Sequence, residues 1–476
     1  MQREVPMNKF VLIALTAAIA GCAVGPDYKE PKTELPPAFS ADDAAYANTS
    51  PVAQFWTVFD DAALTELIAR SLNFNHDLRI ALANINQARA LRRESQFDQF
   101  PTVTAQAAHQ KTRISADESI TGRALTSTVD SGGFDAVWEL DLFGRVRRNV
   151  EANRAAEQAT IEDFRAAQIS VAAEVARTYF ELRGAQEQYA VAQRNADNQT
   201  ETLKIAQVRL DAGRGTEFDT ARSQSLLNTT LAILPQLNAT IENSIHRLSV
   251  LIGQQPAALR DALLPRVALP ELPRLVQIGK PDELLRRRPD VGAAERRLAS
   301  ATASIGVAEG DWFPRVSFTG EIGFAANGLD RIGEGSTQTY SYGPTISWAA
   351  FDLGRVQARV NQAKAREQGA VAAYEQTVLR ALEETENALT SYRETRHQLD
   401  FLYASASASE HASDLARKRF DGGAADFLDV LDSERSQLEV EANLSRARTT
   451  AATNLVALYK ALGGGWDTVQ PTASTQ

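Results

Sequence analysis

The sequence predicts a mainly α-helical chain that carries strands of a transmembrane β-barrel, in an architecture written twice along one polypeptide. Three observations point there. Long matched segments recur at a fixed offset, two stretches of nearly seventy residues keep a seven-residue apolar period, and four short segments alternate between apolar and polar side chains. The alphabet agrees: aromatics make up 7% of the 476 residues, and long tracts consist of Ala, Gln, Glu, Arg and Leu. Such a composition suits extended helices at close spacing better than a rounded apolar centre.

The internal match is specific. Trp138-Glu-Leu-Asp-Leu-Phe-Gly144-Arg145 reappears as Trp348-Ala-Ala-Phe-Asp-Leu-Gly354-Arg355, 210 positions later. The same offset carries Arg209-Leu-Asp211-Ala-Gly213 onto Arg419-Phe-Asp421-Gly-Gly423 and Leu248…Ile252-Gly253 onto Leu458…Leu462-Gly463. Upstream, Asp77…Phe100-Pro101 returns as Asp290…Phe313-Pro314 at an offset of 213.

Each repeat reads in one order. A helix at 60–98 or 281–311 comes first, then strands near 101–113 and 132–143, or 314–325 and 340–352. A very long helix follows, 145–212 or 355–421, interrupted only by Gly184 or Gly369, and a Gly-containing turn leads into 216–252 or 426–462. The long helices carry heptad seams, Ile161, Gln168, Val175, Leu182 and Tyr189 in the first and Val371, Val378, Thr385, Tyr392 and Leu399 in the second. A sustained 3.5-residue period holds one seam against a neighbour and supercoils the helices. A 68-residue helix spans about 100 Å, and the two shorter helices of the first repeat match that length end to end, so each chain supplies four staves. Pro235, with Ser445 as its counterpart, is placed to kink one returning helix.

In the strands, Phe134, Ala136, Trp138 and Leu140 alternate with Asp135 and Glu139, and Val316, Phe318, Ile322 and Phe324 alternate with Ser317, Thr319 and Glu321. Tyr340, Tyr342, Ile346 and Trp348 share a face of the fourth; the first, with Val103, Ala105 and Ala107, alternates weakly. Apolar groups on one side and carboxylates on the other fit lipid outside and water inside, although a sheet on a soluble core alternates too. No apolar run of about 18 residues follows the N-terminal segment, so membrane crossing falls to the strands. Four strands cannot close a barrel and lipid tolerates no open edge, so the chain must oligomerise. Two chains would give about eight strands and a barrel plugged by its own side chains.

The N-terminus reads as a targeting segment, with Lys9 ahead of the apolar run Phe10 to Ala20; Met7 is an alternative start to Met1. The run ends in Ile19-Ala20-Gly21-Cys22, which resembles a bacterial lipobox. That likeness implies cleavage before Cys22, a thioether-linked diacylglycerol on its sulfur and an acylated amine. Ala23, in place of the Asp that usually retains lipoproteins at the inner membrane, directs the protein to the outer membrane. Loss of Arg3, Glu4 and Lys9 with this segment leaves 48 basic and 59 acidic residues, a net charge of −11. No Lys/Arg-rich block exists, which argues against a nucleic-acid partner.

Enzyme chemistry finds no support. His76, His109, His246, His397 and His411 show no metal-ligand spacing, and Cys22, the single cysteine, is committed to lipid. Gly463-Gly-Gly465 lacks the following Lys-Ser/Thr of a phosphate loop, and no Gly-x-Ser-x-Gly elbow appears. No cofactor is expected beyond the covalent lipid.

Taken with Cys22-Ala-Val-Gly-Pro-Asp-Tyr28, Phe55-Trp56, Asn75-His-Asp77-Leu, Arg286-Arg-Arg-Pro-Asp290-Val, Phe313-Pro314 and Leu428-Asp-Val-Leu-Asp432, the chain resembles the TolC/OprM family of outer-membrane efflux proteins, in its lipoprotein (NodT-like) branch. The resemblance implies a homotrimer with a 12-stranded barrel and a 12-stave helical tunnel through the periplasm. It also implies an equatorial collar, a periplasmic adaptor and an inner-membrane transporter of the RND type as partners, and a passive duct. Family aspartates that narrow the periplasmic aperture match Asp429 and Asp432, which share a helical face. Asp429 is equally placed as a capping acid behind Asp426. The turns at Gly213, Gly215, Gly422 and Gly423 are candidate adaptor-docking tips, or glycines that merely end helices.

The expected layout is a signal peptide at 1–21, an anchor and collar segment at 22–59 and repeats at 60–253 and 281–463. A Pro-rich crossover at 254–280 and a tail at 464–476 complete it. Residues 114–131 and 326–339 are the candidate external loops. The rival reading is a lipid-anchored periplasmic coiled-coil scaffold or adaptor without a pore, which explains Cys22 and the heptads but not the four strands.

Overall fold

The computed structural model describes residues 23–40 and 43–464. They fall into two compact units. The first holds the stretch up to Lys32 with Asn84–Ile161 and Ala293–Gln376; the second holds Thr33–Ala83, Glu162–Gly292 and the chain from Thr377 onward.

Repeat one contains α1 (Ala62–Phe74), α2 (His76–Phe97), β1 (Thr102–Ile114), β2 (Leu125–Leu140), α3 (Arg145–Asp211), α4 (Glu217–Leu231) and α5 (Ile233–Leu251). Repeat two contains α6 (Pro281–Arg287), α7 (Pro289–Glu309), β3 (Arg315–Ala326), β4 (Gln338–Ser347), α8 (Leu353–Asp421) and α9 (Phe427–Ala461).

Each opening helix, expected unbroken, is two. Asn75 is extended (φ −62°, ψ 134°), and its side-chain oxygen accepts from the Asp77 N–H at 2.8 Å, so it starts α2 anew. Arg288 is extended (φ −79°, ψ 114°) because Pro289 excludes the helical region for the residue before it. The two breaks are tethered alike. Asn75 Nδ2 donates to the Leu251 carbonyl at 2.9 Å, and Arg288 donates to the Ala461 carbonyl at 3.1 Å. These donors are 213 residues apart and their acceptors 210, so the duplication extends to the tether. Gly253 and Gly463 close the repeats at φ 75° and 73°, where a side chain would be strained.

The long helices are not interrupted by their glycines. α3 passes through Gly184, where a Cβ would stand 2.0 Å from Thr449 Oγ1 of α9. Glycine there permits close helix approach. α8 passes equally through Gly369. The returning helix of repeat one does break, between α4 and α5 at Ala232, because Pro235 has no N–H to offer the Leu231 carbonyl. α9, with Ser445 at the matching place, is continuous.

The core of the second unit gathers Phe55, Trp56, Phe59, Leu64 and Ile68 with Tyr179, Phe180, Ile245, Leu248, Tyr392, Leu455 and Tyr459. Ala172, Ala176, Ala185 and Ala452 fill its narrow helix–helix contacts. A two-residue parallel pair, Tyr46↔Val276 and Ala47↔Gln277, joins the segment ahead of α1 to the Pro-rich crossover.

The four strands form one antiparallel sheet in the order β1-β2-β3-β4. β2 begins at Leu125, seven residues before the expected start, because the Thr- and Val-bearing stretch 125–131 pairs with the upper half of β1. β4 ends at Ser347 rather than near 352.

Candidate membrane sheet and helical tips

The strand register sorts the side chains. Ala105, Phe134, Ile322 and Tyr340 lie across from one another in successive strands. So do Trp138 with Phe318 and Pro344, and Val316 with Ile346. On the opposite face Thr104 meets Asp135, Asp135 meets Glu321 and Glu321 meets Ser341. A one-residue slip in any pair would mix the faces; none occurs. One face is therefore apolar through the lower part of all four strands and turns polar at the top of β1 and β2, where His109, Lys111 and Arg113 meet Asp130, Thr128 and Thr126. The other face is mainly hydroxylic and acidic. Phe134, Ile322, Tyr340 and Tyr342 are exposed in the single chain. β1 and β4 each have a strand neighbour on one side only, so two rows of backbone N–H and C=O groups stand open.

The base of the sheet is closely held. The Trp138 indole donates to the Gln99 carbonyl at 3.0 Å, and its counterpart Trp348 donates to the Trp312 carbonyl at 3.1 Å. Asp141 caps α3 by accepting from the N–H groups of Val146 (3.0 Å) and Arg147 (2.9 Å). The N-terminal strap docks here, which the sequence reading missed. Val24 N–H donates to the Phe143 carbonyl at 3.0 Å. Arg148, buried, donates to the carbonyls of Val24 and Gly25, each at 3.1 Å, and to Asp27 at 2.7 Å. Gly25 and Gly306 touch so closely that a Cβ on Gly25 would lie 2.4 Å from the Gly306 Cα. The Tyr28 hydroxyl donates to Glu295. Cys22 lies outside the described residues, but Ala23, the next residue, packs on Gly144. The signal available in sequence was the pair of glycines, Gly25 and Gly306, without the contact between them.

At the far ends of α3 and α8 the two turns share one geometry. Gly213 and Gly423 take φ of 69° and 71°, whereas Gly215 and Gly422 have no such angle. The Arg209 guanidinium sits 4.6 Å from the Phe420 ring centre, joining one turn to the other. Beyond them, Asp429 Oδ2 accepts from the Asp426 N–H at 3.3 Å, as Asp219 does from Thr216 at 3.2 Å, so both acids close capping boxes. Asp432 has a partner that its sequence position did not reveal. Arg222, its counterpart in the other repeat, donates to it at 3.2 Å, and Arg435 stands 3.5 Å away. Both aspartates are exposed in the single chain. Behind them Glu434, almost fully buried, accepts from Thr202 at 2.8 Å and from Arg417 at 3.0 Å, joining α3, α8 and α9.

Among the described residues no helix is long and apolar enough to cross a membrane, and no three His, Cys, Asp or Glu side chains could hold a metal ion.

Comparison with known proteins agrees with this geometry. The family described as outer membrane efflux protein matches residues 67–254 and 281–464. The solvent efflux pump outer membrane protein SrpC of Pseudomonas putida is 31% identical over 480 residues, covering 98% of this chain and 99% of SrpC. Outer membrane protein OprJ of Pseudomonas aeruginosa is 32% identical, covering 96% and 95%. Among solved structures, the outer-membrane channel OprN superposes with a TM-score of 0.87 at 42% identity, over 94% of this chain and 100% of that one. The MtrE outer membrane channel of Neisseria gonorrhoeae, in its open state, gives 0.83 at 30% identity, over 94% and 99%. The chain belongs to the outer membrane efflux protein family, as a mainly helical outer-membrane channel protein with one four-stranded antiparallel sheet.

Proposed function

We propose that three copies form the passive exit duct of a tripartite efflux pump. A periplasmic adaptor and an RND-type inner-membrane transporter would deliver cargo to it, and acyl chains on Cys22 would anchor each copy. The observation that carries this reading is the sheet: one face apolar along its lower and middle height, one acidic and hydroxylic face, and two open edges. In lipid those edges must be paired, and β1 of one copy beside β4 of the next pairs all of them in a closed ring. Three copies bring about twelve strands, enough for a water-filled interior.

The strap from Ala23 to Tyr28 supports the anchor, because it holds the residue after Cys22 at the sheet's base, the level at which the Trp138 and Trp348 indoles stand, and bilayer interfaces favour indoles. At the tips, Gly213 and Gly423 shape two adjacent turns suited to receive an adaptor, with Gly215 and Gly422 beside them. Asp429 and Asp432 would narrow the aperture. The Arg222–Asp432 ion pair fastens α4 to α9 within one chain, so the aperture acids serve closure through it as well as through their charge. Cargo is assigned to the transporter, since relatives of similar identity are named for solvent, cation and antibiotic efflux.

Planar-bilayer recording with heat-modifiable gel migration tests the duct. A heat-sensitive oligomer with steady single-channel currents is expected; a monomer without conductance removes the reading. Replacing Asp429 and Asp432 together with Ala should raise resting conductance and weaken block by multivalent cations. Unchanged currents would end their role at the aperture.

A further inference from the structure

The outward face of β1 changes character along its length. Its lower half presents Val103, Ala105 and Ala107; its upper half presents His109, Lys111 and Arg113, all exposed. The register puts these three on the apolar face, since Ala105 lies opposite Phe134 and the parity continues through His109↔Asp130, Lys111↔Thr128 and Arg113↔Thr126. Lys111 and Arg113 therefore point where lipid lies.

Their height matters. Lys111 and Arg113 stand nine and eleven residues beyond Thr102, where β1 starts beside the Trp138 indole. At about 3.3 Å per residue and a tilt of about 40°, that is ~23 and ~28 Å up the barrel, against an apolar band of ~25 Å. Both cations reach the headgroup level of the outer leaflet.

The duplication supplies an internal control. Positions matching His109, Lys111 and Arg113 at the 213-residue offset are Ile322, Phe324 and Ala326. The neighbouring strand carries Thr126, Thr128 and Asp130 at the same height. A belt of cations needed only for the interface would recur in the second repeat; this row occurs on one strand per chain. The nearby acids leave it positive. Asp130, buried, is engaged by His109 Nδ1 at 2.5 Å. Glu118, in the turn above with Asp117, accepts from Ser115. Among the described residues neither Lys111 nor Arg113 has an ion-pair partner.

We propose that this strip binds a phosphorylated glycolipid of the outer leaflet, one per chain. Lys111 and Arg113 hold the headgroup phosphate, Arg by its planar fork and Lys as a point charge, with His109 beside them. The acyl chains lie down the low-relief strip of Val103, Ala105 and Ala107, flanked by Gly132, Phe134 and Ala136 of β2.

The test uses the purified full-length oligomer and bisphosphorylated lipid A as the probe, with bound copies counted by native mass spectrometry. Up to three adducts per trimer are expected on the unaltered protein. Affinity should fall about 30-fold in K111Q/R113Q, while the charge-conserving K111R/R113K keeps its adducts. Lipid A stripped of its phosphates should not be retained, and millimolar inorganic phosphate should not displace the intact glycolipid. Equal retention by K111Q/R113Q, or of the phosphate-free lipid on the unaltered protein, overturns the proposal. Full displacement by free phosphate also overturns it, since the site would then be one for a soluble anion. The second of these arms needs no variant, so a folding defect cannot blunt it. The inference rests on the barrel reading, yet the two fail separately. Conducting channels that bind both lipids alike sink the glycolipid site alone, whereas absent conductance sinks the barrel.

Discussion

Asn75 and Arg288 hold matched carbonyls from matched positions with side chains of unlike chemistry. Asn75 does so with one amide hydrogen, whereas Arg288 also pairs with Asp290 at 2.6 Å and Glu384 at 2.7 Å. Removing the guanidinium leaves the buried Ala461 carbonyl without its donor and two partly exposed carboxylates without their partner, so Arg288→Ala should destabilise by about 2–3 kcal/mol. Asn75→Ala should cost ~1–2 kcal/mol. The midpoint of the heat-modifiable gel transition measures both, and a larger shift for Asn75 would contradict the ranking. Glu174 offers a pH test. Its hydrogen bond from Arg177, outweighing burial, holds its carboxyl below the ordinary value of 4.5. That stability is present above the unfolded pKa and is lost as pH falls through the lowered one. Acid unfolding should therefore be less steep below about pH 4.5 in Glu174→Gln than in the unaltered chain, as followed by circular dichroism. The residues behind these contacts were visible in the sequence, but their partners were not. Arg222 could be aligned with Asp432 as a counterpart, yet nothing in a linear alignment says that counterparts touch.

At the level of elements, local chemistry decided what could be read. The strands were legible where Phe, Trp and Ile alternate with acids, and illegible over 125–131, where Leu-Thr-Ser-Thr-Val-Asp-Ser has no clear apolar parity and takes its form from β1. Pro235 announced the α4–α5 break, and Pro289 announced the one at Arg288 just as plainly, but the sustained helical pattern on either side masked it. Asn75 gave a weaker sign, because Asn is tolerated within helices and becomes a stop only when its amide finds a carbonyl outside them. Replacing Pro235 with Ala should join α4 to α5 into one helix like α9, since it restores the missing N–H and removes the ring that crowds the Leu231 carbonyl. Hydrogen exchange checks it: amides at 231–236 should gain protection, and unchanged exchange would assign the break to packing instead.

For the whole molecule, what decides is that the two faces of the sheet meet different solvents. A cation placed mid-strand on the apolar face should cost ~2–4 kcal/mol per chain, and one on the other face little. Phe324→Lys, at about half the height of the apolar band, should therefore abolish the heat-modifiable oligomer. Ala325→Lys, one residue away on the other face, should preserve it and shift the zero-current potential toward anion preference. If both variants assembled equally well, the apolar face would not be facing lipid. The duplication, the count of strands and the need for neighbours were all legible beforehand, because each follows from pattern and from the cost of unpaired backbone in lipid. The strap around Arg148 was not, since it joins residues more than a hundred positions apart with no shared periodicity.

The two open margins of the sheet differ from each other, so the ring they build has a direction, and that bears on heredity. A chain with an intact β1 but a ruined β4 would still be accepted by a healthy neighbour on one side and would then fail to receive the next. Made in equal amounts with sound chains and mixed at random, it would leave only about one ring in eight free of a faulty member. A lesion on either margin should therefore behave as dominant, cutting export to about an eighth in cells that still hold a perfect copy of the gene.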